Sequence, residues 1–170
     1  MIWTALAFSL VTNQNFDTNQ LNNYMNNIAP HVGKNRIAYV AKIIQLKSEK
    51  YQLNPYIFAT IVKQESNFKS DTVSCTDISC DYGLAQINDV NVERYHLDRD
   101  KLVHDDNYNL EVAAKILFQL KKDFPDEINF FSRFHDGRPK ERAKYEACLN
   151  AWISRSNYEP SRDNPQRFTN

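Results

Sequence analysis

The sequence predicts a mainly α-helical domain of six to seven helices, with a small loop or hairpin lobe next to a cleft. Apolar residues recur at helical spacing along most of the chain, as in helices that pack one face on a common core. Only 3 of the 170 residues are glycine and 25% are charged, which suits a helical globular protein. Residues 68–82 are rich in Ser, Thr and Asp and continue no helical face, so they are predicted to form the lobe.

Residues 1–34 are predicted to be an N-terminal segment, either a signal or an accessory helix. Residues 1–11 are apolar enough for the core of an export signal, but no Lys or Arg precedes them and no clear cleavage site follows. An export signal and an ordinary core segment therefore both stay open. A short helix is predicted after Asp17 from four residues at helical spacing: Leu21, Tyr24, Met25 and Ile28.

Two helices are predicted to follow. Asn35 is predicted to cap the first, which runs to about residue 50. Its apolar face comprises Ile37, Val40, Ala41 and Ile44. Asn54 and Pro55 predict the start of the second, as an N-cap followed by proline in the first turn. The apolar face of this helix comprises Ile57, Phe58, Ile61 and Val62.

Glu65 occupies the next position on that face, where the pattern would place another aliphatic residue. It also lies in the last turn, near the negative end of the helix dipole. Burial and the dipole both disfavour the ionised carboxylate, so we expect the pKa of Glu65 to be raised. A carboxylic acid that keeps its proton near neutral pH can serve as a general acid. A snorkelling or paired glutamate at a helix end is the alternative interpretation.

Cys75 and Cys80 bracket the tip of the lobe, and we expect their sulfurs to lie within bonding reach. A disulfide there would stabilise the short loop by roughly 2 kcal/mol in the chain-entropy model. Two reduced thiols are the alternative. Cys148 is predicted to be a small helix-packing residue. A glycine-led turn, Gly83-Leu84-Ala85-Gln86, follows the lobe.

The second half of the chain is predicted to be helical after a mixed, polar stretch over residues 88–106. The apolar anchors of that stretch are Val90, Val92, Tyr95, Leu97 and Leu102. Asp106 or Asn107 is predicted to cap a strong helix. The stripe of that helix is Leu110, Ala113, Ala114, Leu117 and Leu120. A further helix is predicted over residues 126–135, ending at a C-cap at Gly137.

The last helix is predicted over residues 140–154, followed by a polar tail over residues 155–170. Its predicted buried face is Ala143, Ala147, Cys148, Ala151 and Trp152.

The composition excludes several classes of protein. Lys plus Arg and Asp plus Glu both number 21, so no excess of cations is available for nucleic-acid phosphates. No apolar run reaches the length of a membrane span. The four histidines lack the spacing of zinc ligands, so no metal site is predicted. One domain without nucleic acid or an integral membrane span is therefore expected.

Four blocks of the sequence resemble the ordered signatures of lytic transglycosylases. They are Gln64-Glu65-Ser66, Gly83-Leu84-Ala85-Gln86, Asn109-Leu110 and Phe134-His135-Asp136-Gly137. The resemblance is to the soluble lytic transglycosylase catalytic domain of the goose-lysozyme-like superfamily, and it covers roughly residues 50–153. It implies an α+β lysozyme-like domain over residues 35–154.

In that family the glutamate of the Glu-Ser motif is the sole catalytic acid and base, so the resemblance assigns this role to Glu65. Glu65 would protonate the glycosidic oxygen between MurNAc and GlcNAc in peptidoglycan. It would then take the proton of the C6 hydroxyl of the same MurNAc, which closes to a 1,6-anhydro product without water. The acetamido group of the substrate can support the reacting centre, so no second carboxylate is required. No cofactor is implied.

The predicted substrate contacts are Ser66, Gly83, Leu84, Gln86, Tyr108, Phe134 and His135. Two alternatives stay open: Ser66 bonds its own helix backbone, and His135 is an exposed histidine at a helix end. In the family a third block, usually Ala-Tyr-Asn, carries a tyrosine whose hydroxyl bonds the catalytic glutamate. The match in this chain is Arg133-Phe134-His135, which lacks that hydroxyl. Phe134 would keep the apolar wall beside Glu65, while His135 or Tyr108 would supply a polar contact.

Two alternatives to a transglycosylase stay open. Asp77 and Asp81 lie between Glu65 and Gly83, where an inverting lysozyme-type hydrolase would hold a carboxylate that activates water. A non-catalytic glycan-binding relic would fit the missing hydroxyl, although an intact Glu65 argues against it.

Peptidoglycan glycan strands are the partner that the resemblance implies. A compact wall enzyme also fits association with a secretion system or a phage particle. The implied location is the periplasm or cell wall, reached by export or by delivery from a virion, with cytoplasmic retention as the alternative.

Overall fold

A computed structural model describes residues 17–127, 129–135 and 138–155. These residues form seven α-helices, one 3₁₀ turn and a small three-stranded sheet, so the mainly helical fold class is confirmed. The predictions for residues 1–11, for Gly137 and for the tail after residue 155 lie outside the described residues.

Three helices form the first half of the molecule: α1 (Thr18–Ile28), α2 (Lys34–Tyr51) and α3 (Pro55–Ser66). Asn54 caps α3, as predicted, by accepting hydrogen bonds from the N–H groups of Tyr56 and Ile57. The predicted helix after Asp17 is α1, and Asp17 caps it by accepting a hydrogen bond from the N–H of Asn19. The N-cap of α2 is Gly33, so the prediction of Asn35 is wrong. No side chain caps α2, so the sequence carries no capping signal that marks its first residue.

The small lobe is an antiparallel sheet of β1 (Val73–Cys75), β2 (Cys80–Tyr82) and β3 (Ile87–Asn88), in the order β1-β2-β3. Cys75 pairs with Cys80 in the strand register, and their Cα atoms lie 4.1 Å apart. The two cysteines form a disulfide, which confirms the prediction that their sulfurs lie within bonding reach. The lobe is therefore a covalently braced hairpin that leads directly into the glycine turn.

Two short helices, α4 (Asp89–Tyr95) and α5 (Arg99–His104), replace the irregular stretch predicted over residues 88–106. Val92 and Leu102 are buried anchors as expected, whereas Val90 and Tyr95 are exposed, contrary to the prediction. Helices this short bury only one position each, so their sequences lack the repeated apolar period that reveals longer helices.

The central helix α6 (Asp106–Asp123) packs on α2 through the predicted stripe, in which Leu110, Ala113, Ala114 and Leu117 are buried. Its N-cap is Asp105, whose side chain accepts a hydrogen bond from the N–H of Tyr108. The predicted caps, Asp106 and Asn107, are therefore wrong. The Asp106 carboxylate instead pairs with Arg36 of α2 and ties the two helices together.

A 3₁₀ turn, Phe130–Phe134, takes the place of the α-helix predicted over residues 126–135. The Glu127 carboxylate, just before this turn, binds the guanidinium groups of Arg133 and Arg142. These ion pairs hold the segment against the last helix, α7 (Pro139–Arg155), in a conformation that local periodicity does not encode.

The face that α7 buries differs from the prediction. Its buried residues are Tyr145, Leu149 and Ile153. Ala143, Ala147, Cys148 and Ala151 are exposed and Trp152 is half-buried, so the predicted face is wrong. Both stripes repeat every fourth residue. The larger residues are the ones inside, because they remove more apolar surface from water than alanines do.

Candidate active site

Glu65 lies in the last turn of α3, which is buried on almost every side. Its side chain is only 12% exposed. Burial raises the pKa of Glu65 to about 7, the hydrogen bond from Tyr145 opposes this rise, and the charge of Asp81 adds to it. The expectation of a raised pKa is therefore confirmed, with loss of hydration as the main cause. Near neutral pH this carboxyl group can both donate and accept a proton.

Tyr145 of α7 holds the Glu65 carboxyl group. Its hydroxyl donates a hydrogen bond of 2.6 Å to Oε1 of Glu65. Burial, and then the charge of Glu65, raise the pKa of Tyr145 well above its usual value, so the phenol stays a donor. The inference that no tyrosine hydroxyl bonds Glu65 is wrong, because Tyr145 supplies one from outside the third block. Sequence analysis missed it although Tyr145, Leu149 and Ile153 already follow a helical period.

His135 lies beside this pair and is half exposed. Its Nδ1 is 3.8 Å from Oε1 of Glu65, and its ring stacks on that of Tyr145 with centroids 4.6 Å apart and planes within 3°. His135 therefore forms part of the wall around the carboxyl group and covers one face of the phenol. The structure brings it to the site, as the resemblance implied.

Gly83 is required by packing within the protein. Its φ is +71°, and a Cβ atom there would lie 1.9 Å from the carbonyl oxygen of Leu102 and 2.5 Å from Nδ2 of Asn109. The resemblance assigns Gly83 a contact with the substrate. The structure gives a separate reason for glycine at this position, which is the close approach of the α5 backbone.

Ser66 and Leu84 join α3 to the glycine turn. The hydroxyl of Ser66 donates a hydrogen bond of 2.6 Å to the carbonyl oxygen of Leu84. The Leu84 side chain has no exposed surface, so it belongs to the core and offers no side-chain surface to a ligand. The hydroxyl proton of Ser66 is thus already donated to the backbone. A contact between Ser66 and the substrate stays a prediction.

Asn109, from another block of the resemblance, is fully buried and fastens the lobe to α6. Its Oδ1 accepts a hydrogen bond from the N–H of Ala85. Its Nδ2 donates to the carbonyl oxygens of Tyr82 and Leu102. These three bonds position the glycine turn relative to Glu65.

Three further predicted residues have contacts within the protein. Gln86 donates from Nε2 to the carbonyl oxygens of Gly83 and Thr72, which closes the turn. The Tyr108 hydroxyl accepts a hydrogen bond from the N–H of Asp98. The polar contact with Glu65 predicted for His135 or Tyr108 is made by Tyr145. Phe134 packs half-buried against the core.

The two aspartates of the lobe have different surroundings. Asp77 is exposed at the tip of the hairpin. Asp81 lies on β2, accepts a hydrogen bond of 2.6 Å from Nδ2 of Asn88, and acts electrostatically on Glu65. Asp81 is therefore the aspartate of the pair whose charge reaches Glu65.

Within the described ranges, no three His, Cys, Asp or Glu side chains are grouped to hold a metal ion. No helix in the described part of the chain is long and apolar enough to cross a membrane.

The chain is similar to one known family. Residues 42–146, more than half of the sequence, match the family model described as the transglycosylase SLT domain. No curated protein and no solved structure matches the chain. The matched range contains Glu65, the glycine turn, Asn109, His135 and Tyr145.

Proposed function

Because the chain belongs to the transglycosylase SLT domain family, we propose that it is a lytic transglycosylase that cleaves the β-1,4 bond between MurNAc and GlcNAc in peptidoglycan. The observation that carries this proposal is the Glu65 carboxyl group, buried on α3 and bonded by the Tyr145 hydroxyl at 2.6 Å. This arrangement provides one acid–base group that holds a proton near neutral pH.

In the first step Glu65 donates its proton to the glycosidic oxygen. The bond between that oxygen and C1 of MurNAc breaks, and positive charge develops at C1. The carboxylate left on Glu65 is stabilised by the hydrogen bond from Tyr145, whose ring is held by stacking on His135. Tyr145 therefore stabilises the charge that forms as the bond breaks.

In the second step the C6 hydroxyl of the same MurNAc attacks C1. Its oxygen forms the 1,6-anhydro bond and its proton passes to Glu65, which regains the acid form. No net proton is exchanged with water over the cycle. This fits a carboxyl group that is 12% exposed, since such a group has limited access to solvent protons.

Hydrolysis is the second candidate, and the charge of Asp81 on Glu65 favours it. Asp81 would then activate a water molecule on the opposite face of the sugar, and the product would carry a reducing end. The exposed position of Asp77 at the hairpin tip gives that residue no comparable support.

The deciding experiment is mass analysis of muropeptides released from purified sacculi by the wild type and by Glu65→Gln, Asp81→Asn and Asp77→Asn. We expect Glu65→Gln to lose cleavage while it still binds glycan strands, because the proton is removed and the shape is kept. The aspartate variants should retain most activity and release anhydro ends. Reducing ends from the wild type together with an inactive Asp81→Asn would establish hydrolysis instead. A fully active Glu65→Gln would refute both.

A peptidoglycan substrate requires access to the cell wall. The proposal therefore includes a periplasmic or wall location, reached by export or by delivery from a virion or secretion system.

A further inference from the structure

A second cluster of charged and aromatic side chains lies between α3 and α7, next to the candidate active site. Lys63 of α3 places its ammonium nitrogen 4.2 Å from the centroid of the Trp152 ring. The guanidinium carbon of Arg155 lies 4.9 Å from the same centroid. One indole therefore contacts two cations, an arrangement that a cation–π contact stabilises and mutual repulsion weakens.

Neither cation has an anionic partner among the described residues. Lys63 is only 8% exposed, yet no carboxylate or hydrogen-bond acceptor of the described chain meets its ammonium group. Burial, and then the charge of Arg155, lower the pKa of Lys63. The stem of Lys63 is buried while its ammonium nitrogen stays in reach of solvent. The ammonium group is therefore available to pair with an incoming anion.

The neighbouring polar group adds a hydrogen-bond donor. Trp152 donates from Nε1 to Oε1 of Gln64 at 2.9 Å. This bond fixes the indole and leaves the amide nitrogen of Gln64 free of bonds within the described chain. The cluster thus combines two cations, an amide donor and an aromatic face, which suits a carboxylate attached to an organic ligand.

The same two helices link this cluster to the proposed catalytic pair. Lys63 precedes Glu65 by two residues on α3, and Trp152 follows Tyr145 by seven residues on α7. At 1.5 Å per helical residue, seven residues separate the two sites by roughly 10 Å along α7. Lys63 and Glu65 point to different sides of α3, whereas Tyr145 and Trp152, two turns apart, lie on one side of α7. The α7 side therefore brings the cluster within reach of a substituent on a strand bound at Glu65.

We propose that Lys63, Arg155 and Trp152 form a binding site for a carboxylate of the peptide stems that peptidoglycan strands carry. This inference rests on the proposed function, since it takes the substrate to be peptidoglycan. The net charge of zero and the presence of only two cations argue against a nucleic acid as the anion. The site would make the enzyme select strands with stems over bare glycan.

Binding in the inactive Glu65→Gln background tests the site without requiring turnover. Soluble glycan strands with peptide stems, and the same strands stripped by an amidase, are titrated by calorimetry. We expect stems to tighten binding about tenfold, as for hydrogen bonds to charged groups. Adding Lys63→Met and Arg155→Met should remove that advantage, and high salt should reduce it.

Lys144→Met is the matched control, because it removes an exposed cation of α7 that already pairs with Glu141. It should leave the preference for stems unchanged. Arg155 is exposed, so Arg155→Met alone provides the test if the double substitution does not fold.

Three results would contradict this binding site. Glu65→Gln could bind both strand types equally, or the preference for stems could survive Lys63→Met and Arg155→Met. Lys144→Met could also reduce the preference for stems as much as those two substitutions do. Binding of phosphatidylglycerol vesicles that depends on Lys63 and Arg155, without a stem preference, would assign the cluster to lipid phosphate instead. If the wild type releases no muropeptides, the proposed function fails, whereas a lost stem preference leaves catalysis intact.

Discussion

At the scale of single residues, the chemistry of Glu65 is set by two opposing neighbours. Burial favours the neutral acid, whereas the hydroxyl of Tyr145 favours the carboxylate. Their balance leaves the pKa of Glu65 at about 7, where the same group can give and regain a proton. His135, stacked on Tyr145, limits the orientations open to the phenol.

Tyr145→Phe should separate these two influences. Loss of the hydrogen bond removes stabilisation of the carboxylate, so we expect kcat to fall about tenfold or more. The pKa of Glu65 should rise, which moves the alkaline limb of the pH–activity profile to higher pH. The measurement is the rate of muropeptide release at pH values from about 5 to about 9.

Tyr39→Phe is the control, because Tyr39 is exposed on α2 and its ring contacts Arg36. Its profile should match that of the wild type. If Tyr145→Phe left both the rate and the alkaline limb unchanged, Tyr145 would not act on Glu65 during catalysis.

At the scale of elements, the geometry of the candidate active site depends on how the lobe is attached to the helices. The hydroxyl of Ser66 binds the turn to α3, and the amide of Asn109 binds it to α6 and α5. Gly83 sits where these attachments converge, with the backbone of Leu102 against it. The lobe is therefore held by three separate helices.

Gly83→Ala should be strongly destabilising. A Cβ at 1.9 Å from the Leu102 carbonyl oxygen forces the backbone apart, and the φ of +71° adds strain. We expect a loss of more than about 3 kcal/mol, which corresponds to a fall in Tm of roughly 10 °C for a domain of this size. Thermal unfolding followed by circular dichroism measures it.

Gly33→Ala is the matched substitution, since nothing lies within 4 Å of a Cβ at Gly33 and its φ is −58°. Alanine is a poorer N-cap than glycine, but it also restricts the unfolded chain, and these effects of about 0.5–1 kcal/mol oppose each other. The Tm should therefore stay within about 2 °C of the wild type. Equal effects of the two substitutions would contradict the packing explanation for Gly83.

At the scale of the whole molecule, two glutamates give folding opposite dependences on pH. The folded-state pKa of Glu65 is raised from 4.5 to about 7, so the unfolded chain releases this proton first and stability falls as pH rises through that window. Burial would also raise the pKa of Glu111, but hydrogen bonds from Lys50, Tyr51 and Lys47 together lower it to about 2. Its contribution is present above pH 4.5 and is lost as pH falls towards 2.

The substitutions Glu65→Gln and Glu111→Gln should therefore change stability in opposite directions. At pH 8 the first should stabilise the protein by about 3 kcal/mol, and that gain should shrink towards pH 4. The second should destabilise it by about 2 kcal/mol at neutral pH, allowing for solvent screening at a side chain that is 17% exposed. Denaturant unfolding at several pH values measures both, and a shared sign at pH 8 would refute these assignments.

Much of the fold follows from local patterns. The cap Asn54, the stripe of α6 and the hairpin lobe are encoded by neighbouring residues, and the structure contains them where the sequence predicts them. Short helices such as α4 and α5, and the 3₁₀ turn, are stabilised by tertiary contacts, so their sequences carry little periodic signal.

The sequence by itself determined the chemistry of one residue: an acid on an apolar face at the end of α3 must be partly dehydrated wherever that face packs. Only the tertiary structure decided what holds that acid. Tyr145 lies 80 residues away along the chain, on a helix with two competing stripes of the same period. Local spacing cannot choose between such stripes. The choice depends on which side chains fill the space beside α3, and that space exists only once the helices have packed.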